Sequence, residues 1–392
     1  MKLKFPIGLF VLLMSLTMNA CAQKQSEMAL GNSRLSEYLP LIKEKRVGLL
    51  VNHTSVIGST HLVDSLLSLG VNIKRIFTPE HGFRGDADAG EKIAGYVDPK
   101  TGLEVISLYA NTKKPTPQNL NGLDCVIIDL QDVGVRFYTY NSTMHYLMEA
   151  CAENKVTVII LDRPNPNGNY IDGPVLDLKF KSFVGMHPIP IVHALTMGEL
   201  ALMINGEGWL KNGIKCQLKV IQVKNNNRKT IYPIPIKPSP NLPNILSIRL
   251  YPSLCLFEGT DISVGRGTNK PFCIVGYPDK QFGTYEFTPI SLTGMSKNPP
   301  HQNKTCYGIN LQNESIKSQF TLKYILEFEK KWNRPEPFIT NSKFFSMLAG
   351  NDLLQAQIKN GLTEDSIKQT WATDLKHYRA LRKKYLIYPD FE

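Results

Sequence analysis

Glu80, His81 and Arg84 place a carboxylate, an imidazole and a guanidinium within five residues, in the stretch Thr78-Pro79-Glu80-His81-Gly82-Phe83-Arg84-Gly85. Asp86, Asp88 and Glu91 follow at once among small residues (Ala87, Ala89, Gly90). Carboxylates and imidazoles are the side chains that most often move protons in catalysis. The run 71–77 before them reads as a strand, and Pro79 with two glycines stops it and forces a loop. A strand end opening into a Gly-rich polar loop is where open α/β sheets place their active sites. A surface turn with solvated charges is the plain alternative, and the rest of the chain weighs against it.

The elements that would position this loop follow from periodicity. Segments 46–52, 71–77, 103–108, 123–130 and 156–161 are short, apolar and strand-like. The segment 123–130 is apolar almost throughout, as a central parallel strand should be. Helical spacing is present over 61–69, where Gly70 stops it, and over about 142–153. Alternating strands and helices predict a doubly wound, Rossmann-like parallel sheet. The C-terminal strand ends then share one edge. They bring Asn52 and His53, Glu80 and His81, Tyr109 and Asn111, Asp129, Gln131, Asp132 and Arg136, and Asp162, Arg163 and Asn165 to that edge. No G-x-G-x-x-G follows the first strand and no G-x-x-x-x-G-K-[ST] occurs, which argues against a nucleotide enzyme.

The pattern changes after 164–168. Residues 196–205 predict a helix with Thr196 and Glu199 as a capping box. Residues 215–223 alternate like an exposed strand, and five prolines between 233 and 243 exclude a helix there. The predicted boundary lies near residue 206, with a Rossmann-like domain over 31–205 and a smaller mixed α+β domain over 206–392. Within the second, residues 254–268 alternate short apolar runs with glycines and bring Glu258, Asp261 and Arg266 close together. Glycines there permit tight approach of the backbone to a ligand, and a Gly-rich turn region with solvated charges is the alternative. Helical spacing recurs over 315–331, 342–349 and 363–384, the last expected to present a solvated charged face.

The first residues predict an export signal, with Lys2 and Lys4 before an apolar run over 5–18 that is too short to span a bilayer stably. Ala20-Cys21-Ala22 is compatible with lipidation at Cys21 or with ordinary signal cleavage, so residues 1–22 form a leader and the mature protein is expected in the periplasm, free or anchored by lipid. No later stretch reaches the length of a membrane span. The six remaining cysteines have no paired spacing and no histidines at zinc-site spacing, so neither a disulfide framework nor a metal site is predicted. A net charge of +11 suits an anionic partner such as cell-wall glycan, anionic lipid or lipopolysaccharide. Nucleic acid is not expected, since no recognition or base-stacking motif is present.

Several long motifs, in order, carry a resemblance. They are Val47-Gly48-Leu49-Leu50-Val51-Asn52-His53-Thr54, the Phe77 to Gly85 loop, Asp129 to Tyr140, Asp162-Arg163-Pro164-Asn165-Pro166, Ser239-Pro240-Asn241-Leu242-Pro243, Phe257-Glu258-Gly259-Thr260 and Ser263 to Thr268. Together they resemble the NamZ family of exo-acting β-N-acetylmuramidases of bacterial cell-wall recycling, over nearly the whole mature chain. The resemblance implies a Rossmann-like N-terminal domain, a smaller C-terminal domain, a cleft between them, and release of N-acetylmuramic acid from non-reducing ends of peptidoglycan fragments such as MurNAc-GlcNAc.

That chemistry assigns roles. Glycoside hydrolysis needs a proton donor at the leaving oxygen and a base or nucleophile opposite. Glu80 is the expected acid or base, beside His81. Its partner is open between Glu91, Asp129 and Glu258. Arg136 and Arg266 are candidates for reading the lactyl carboxylate through a bidentate pair. Tyr138, with Tyr140, could offer a face for sugar stacking. Asn52, His53, Arg84, Asp162 and Arg163 complete the polar edge as substrate-binding candidates. No cofactor is needed for this reaction. A non-catalytic cell-wall-binding lipoprotein is the alternative.

Overall fold

The computed structural model describes residues 28–80, 82–84, 95–109, 112–229, 232–315 and 319–392. His81, Glu91, Asn111 and the leader with Cys21 therefore lie outside the described residues. In chain order the first part contains α1 (Leu35–Ile42), β1 (Val47–Val51), α2 (Leu62–Ser68), β2 (Ile73–Thr78), β3 (Tyr96–Val97), β4 (Glu104–Ser107), β5 (Cys125–Asp129), α3 (Tyr140–Glu153), β6 (Thr157–Leu161), α4 (Met197–Gly206) and β7 (Leu218–Ile221).

The seven strands form one sheet in the order β7-β6-β5-β1-β2-β4-β3, parallel except for the edge strand β3. Starting from β1, the chain adds β2 and β4 on one side, then returns to lay β5, β6 and β7 on the other. The strand order reverses between β1 and β5, and the crevice beyond their carboxyl ends is where such sheets bind ligands. Both β1 and β5 are fully buried along their length, as expected for strands covered on both faces.

Strand alternation distributes the core. Leu49, Val51, Cys125, Ile127, Ile159 and Leu161 face α1 and α2 with Tyr38, Leu62 and Leu66. Leu50, Val126, Ile128, Val158 and Ile160 face the other way, toward α3 and α4, and this core continues without a break into the C-terminal part. The helix α3 is buried on nearly all sides: β6 and α4 pack against it, and the segment around Phe183 and His187 covers Ser142, His145 and Tyr146. The predicted capping box at Thr196 and Glu199 opens α4.

Three expectations are revised by packing. The strand over 215–223 is not a detached exposed strand: β7 pairs in parallel with β6 and forms an edge of the main sheet, past residue 206. The helix expected over 315–331 begins only at Lys323. The helix expected over 363–384 is two helices, Glu364–Gln369 and Ala372–Arg382. They break at Trp371, whose ring is buried and whose Nε1 donates to Asp172 at 3.3 Å. The second of these helices also presents less charge to solvent than its composition suggests, since Arg382 is fully buried against the Ala194 carbonyl and Asp390.

The C-terminal part comprises α5 (Ile245–Leu254), a three-stranded antiparallel sheet of β8 (Ile274–Tyr277), β9 (Tyr285–Phe287) and β10 (Cys306–Asn310), and helices α6 (Lys323–Lys331) and α7 (Ser342–Ala349) before the terminal pair. It is fastened to the first part by Arg136. The Arg136 guanidinium is fully buried and donates to the carbonyls of Pro174 (2.7 Å), Ile189 (2.8 Å), Leu348 (2.9 Å) and Ala349 (2.8 Å). Gly350, at φ 85°, ends α7 against it, and a Cβ there would come within 2.6 Å of Nη2. Burial lowers the guanidinium's pKa to about 9, which still leaves it charged at neutral pH. Arg136→Leu strands four buried carbonyls at once. It should cost more than about 3 kcal/mol and lower the thermal midpoint by several degrees or more, read by calorimetry or circular dichroism; a midpoint within one degree of wild type would show the clamp to be dispensable.

Candidate active site

Strand β2 ends at Thr78, and Pro79 turns the chain so that Glu80 meets the amino end of α3. Thr139 Oγ1, just before that helix, donates to Glu80 Oε2 at 3.1 Å. The positive end of a 14-residue helix is a favourable place for a carboxylate. The Tyr109 hydroxyl, from the end of β4, also hydrogen-bonds Glu80; burial first, then the Glu80 charge, push its pKa upward. Glu80 lines a hollow of about 60 Å³ together with Phe137, Tyr138, Thr139, Asn241 and Arg266.

The opposite wall belongs to the C-terminal part. Arg266 Nε donates to Glu258 at 2.5 Å, and the guanidinium lies 5.1 Å over the Phe272 ring. Burial alone would lower the Arg266 pKa, and the Glu258 carboxylate outweighs it, so the group is held charged. Gly265 (φ 80°) and Gly267 (φ 78°) flank it in left-handed conformation, with Ile274 and Pro299 side-chain carbons 2.6 and 2.5 Å from where a Cβ would stand. The two glycines therefore fix the direction in which Arg266 leaves the backbone. Its recorded hydrogen bond uses Nε, and the Nη nitrogens have none with any described residue.

Two tyrosines join the walls. Tyr138 and Tyr140 pack edge to face with ring centroids 4.7 Å apart, and both hydroxyls donate to the Pro238 carbonyl, at 2.9 and 3.2 Å. Asn52 is not at the surface of this cleft. It is fully buried, donates to the Tyr140 hydroxyl at 2.8 Å, and orders the chain after β1 by accepting from Thr54. His53 contacts the Lys237 carbonyl at 2.8 Å.

The structure separates other predicted residues from this hollow. Asp129 is fully buried in an ion pair with Arg163 (2.5 and 3.0 Å) and accepts from Asn32 at 3.0 Å, so both oxygens are engaged outside the hollow that Glu80 lines. Arg163 also donates to the Thr54 carbonyl. Asp162 accepts from Thr196, Gly198 and Tyr388, anchoring the amino end of α4; burial raises its pKa to about 6. Arg84 is paired with Asp98 at 3.2 and 3.0 Å. Arg136 is the clamp described above. Thus Glu80, Tyr138, Glu258 and Arg266 are brought together, while Asp129, Asp162, Arg163, Arg84 and Arg136 support the frame.

Thr139, Tyr251, Phe272 and Asn241 were not among the expected site residues, although Thr139 and Asn241 sit inside motifs quoted above. Only the fold shows that the Asp129–Tyr140 and Ser239–Pro243 stretches meet. Nor was Asp132 assigned a role. It is 6% exposed, accepts from Gly134 N at 2.6 Å through Oδ2, and its Oδ1 has no hydrogen-bond partner among the described residues.

Comparisons with known proteins bear on the family and the fold. Residues 47–246 match the family described as "Exo-beta-N-acetylmuramidase NamZ, N-terminal", and residues 249–388 match its C-terminal counterpart. This chain belongs to the NamZ family. The peptidoglycan beta-N-acetylmuramidase NamZ of Bacillus subtilis (strain 168) is 38% identical to it, over 94% of this chain and 93% of that protein. Crystal structures of two DUF1343 family proteins from Bacteroides fragilis NCTC 9343 share the NamZ-family fold seen here. One is 46% identical with a TM-score of 0.86, covering 93% of this chain and 100% of its own. The other is 29% identical with a TM-score of 0.78, covering 92% and 99%. The two family segments meet between residues 246 and 249, which keeps β7 with the N-terminal part.

Burial raises the Asp132 carboxyl to about 7, against 3.8 for a free side chain. Between pH 4 and 7 the unfolded chain has lost this proton while the folded protein keeps it, so this group's contribution to stability falls as pH rises through that window. Asp132→Asn removes the effect, worth up to about 4 kcal/mol. Denaturant melts at pH 4.5 and 7.5 should show the variant gaining on wild type as pH rises; parallel profiles would mean that Asp132 is ionised in the fold throughout.

Proposed function

We propose that this chain is an exo-acting glycoside hydrolase that releases N-acetylmuramic acid from non-reducing ends of peptidoglycan fragments, with MurNAc-GlcNAc as a minimal substrate. The observation that carries the reading is the meeting of Glu80, from the parallel sheet, with Arg266, from the C-terminal part, across one small hollow. Family membership and the activity in the name of the Bacillus subtilis relative support it, and they disfavour a non-catalytic cell-wall-binding protein.

Glu80 is the proton-transferring carboxylate in this reading. Thr139 and Tyr109 hold it by hydrogen bonds, so its orientation is set before substrate arrives. Glu258 enters the constellation through Arg266 and is favoured as second carboxylate over Asp129, because its side chain is partly exposed beside the hollow while Asp129 is fully buried. Arg266 reads the lactyl carboxylate. Glu258 holds Nε and leaves the outer nitrogens to make charge-assisted bonds to the substrate. The basic excess of the chain, +11, favours approach to anionic glycan. The leader composition supports export, with Cys21 as the point of lipid attachment or the neighbour of a plain cleavage site.

Purified mature protein incubated with MurNAc-GlcNAc and with chromogenic β-MurNAc and β-GlcNAc should release free MurNAc. Glu80→Gln should lose about 10² to 10⁴-fold in turnover while keeping the wild-type melting profile. Saturable binding by wild type with no product would replace the hydrolase reading with the cell-wall-binding one. For Arg266→Ala, kcat/KM on the MurNAc glycoside should fall about tenfold or more, with a much smaller change on any residual β-GlcNAc hydrolysis. Equal loss on both would remove Arg266 as the reader of the lactyl group.

A further inference from the structure

Asn241 is 2% exposed and lines the hollow that Glu80 and Arg266 share. It sits in the turn Ser239-Pro240-Asn241-Leu242-Pro243, closed by a Leu242 N to Ser239 O bond at 3.0 Å. The preceding Pro238 carbonyl receives both the Tyr138 and Tyr140 hydroxyls, so the two tyrosines hold the turn against the hollow. Asn241 Nδ2 donates to the Met295 carbonyl at 2.8 Å. This bond fixes the orientation of the amide, because exchanging its oxygen and nitrogen would set two acceptors against each other. The remaining side-chain atom, Oδ1, is buried and has no hydrogen-bond partner among the described residues. A buried acceptor left unsatisfied costs free energy, and a ligand that supplies a donor recovers it.

Four side chains of the lining are aromatic or aliphatic, Phe137, Leu242, Tyr251 and Phe272, with Tyr251 and Phe272 edge to face at 4.9 Å; Glu80, Thr139, Ser239 and Arg266 supply the polar remainder. A volume of about 60 Å³ has room for about four waters. It is too small for a pyranose ring, yet an acetamido group has about that number of heavy atoms. One buried acceptor beside the aromatic and aliphatic side chains of the lining matches the N–H and the methyl of such a group. Position also matters. On muramic acid the acetamido nitrogen and the lactyl ether are on neighbouring carbons, so their readers must be neighbours in the protein. Arg266 and Asn241 line the same hollow.

We propose that Asn241 is the residue that selects the 2-acetamido group, its buried Oδ1 accepting the acetamido N–H while the aromatic walls enclose the methyl. The assignment rests on the muramidase reading above and names what the floor of that site recognises. The sugar ring then lies across the mouth of the hollow with the lactyl carboxylate toward Arg266. In this position Asn241 touches substrate but moves no proton.

The test is a ligand pair that differs in one atom group. Calorimetry measures N-acetylmuramic acid and its 2-O-acetyl analogue, in which an ester oxygen replaces the N–H, on wild type, Asn241→Ala and Asn241→Ser. Wild type should prefer the amide by about tenfold or more. Asn241→Ala should bind the amide more weakly and reduce the preference to about twofold or less, and so should Asn241→Ser, whose hydroxyl is too short to reach. Since both ligands meet the same protein, a general weakening of the fold lowers both and leaves the ratio. Equal affinity of wild type for the two ligands, or a preference unchanged in the variants, overturns the assignment. If wild type neither binds N-acetylmuramic acid nor hydrolyses its glycosides, the muramidase reading fails and this one with it. Hydrolysis with an unchanged ratio overturns the Asn241 assignment alone.

Discussion

The rest of the structure depends on one buried cation. Arg136 has no carboxylate partner among the described residues, and its charge is met by four main-chain carbonyls drawn from three segments. Two of them, Leu348 and Ala349, are the last residues of α7, where the helix presents its negative end. The clamp therefore joins the loop after β5, the segments at Pro174 and Ile189, and the C-terminal part in one contact. Three residues further on is Thr139, which holds Glu80. The tyrosine contacts to Pro238 hold the turn that carries Asn241 beside the same hollow.

The loop between β5 and α3 shows how an irregular segment can be buried with many of its main-chain carbonyls met by side chains, while Gln131 Oε1, Asp132 Oδ1 and Arg136 Nε have no partner among the described residues. Gln131 donates to the carbonyls of Asp132 and Pro164, Asn167 to Val133, and Asn141 to Arg136. Gly134, at φ 75°, passes so close to Asn165 that a side chain would collide with its amide. A segment held at this many points carries its functional side chains on a rigid frame. Glu80 benefits indirectly, since Thr139 belongs to that frame.

Much of the fold was legible because its signals are local. Buried parallel strands read as apolar runs, and the capping box at Thr196 and Glu199 named the start of α4 before any packing was known. The polar strand ends did converge on one edge. What sequence could not sort was which of those polar groups face a ligand and which serve the frame. Asp129 and Arg163 look as reactive in sequence as Glu80, yet they neutralise each other in the interior. Arg136, next to Phe137, and Arg266, between two glycines, look alike as candidate readers, yet one is surrounded by carbonyls and the other leaves its outer nitrogens unengaged by the described residues. Such distinctions depend on contacts between residues a hundred or more positions apart, such as Tyr138 with Pro238. β7 was misplaced for a related reason: alternation revealed a strand but not its parallel partner.

The six cysteines of the described residues are all buried and all free thiols. Burial raises the thiol pKa of each, for Cys125 and Cys273 to about 11 and for Cys216 and Cys306 to about 12, with Cys151 and Cys255 moved further still. A thiol without thiolate character is a poor nucleophile and a slow partner in exchange. Among the described residues no cross-link ties the fold, and packing, hydrogen bonds and buried ion pairs such as Asp129 with Arg163 hold it together.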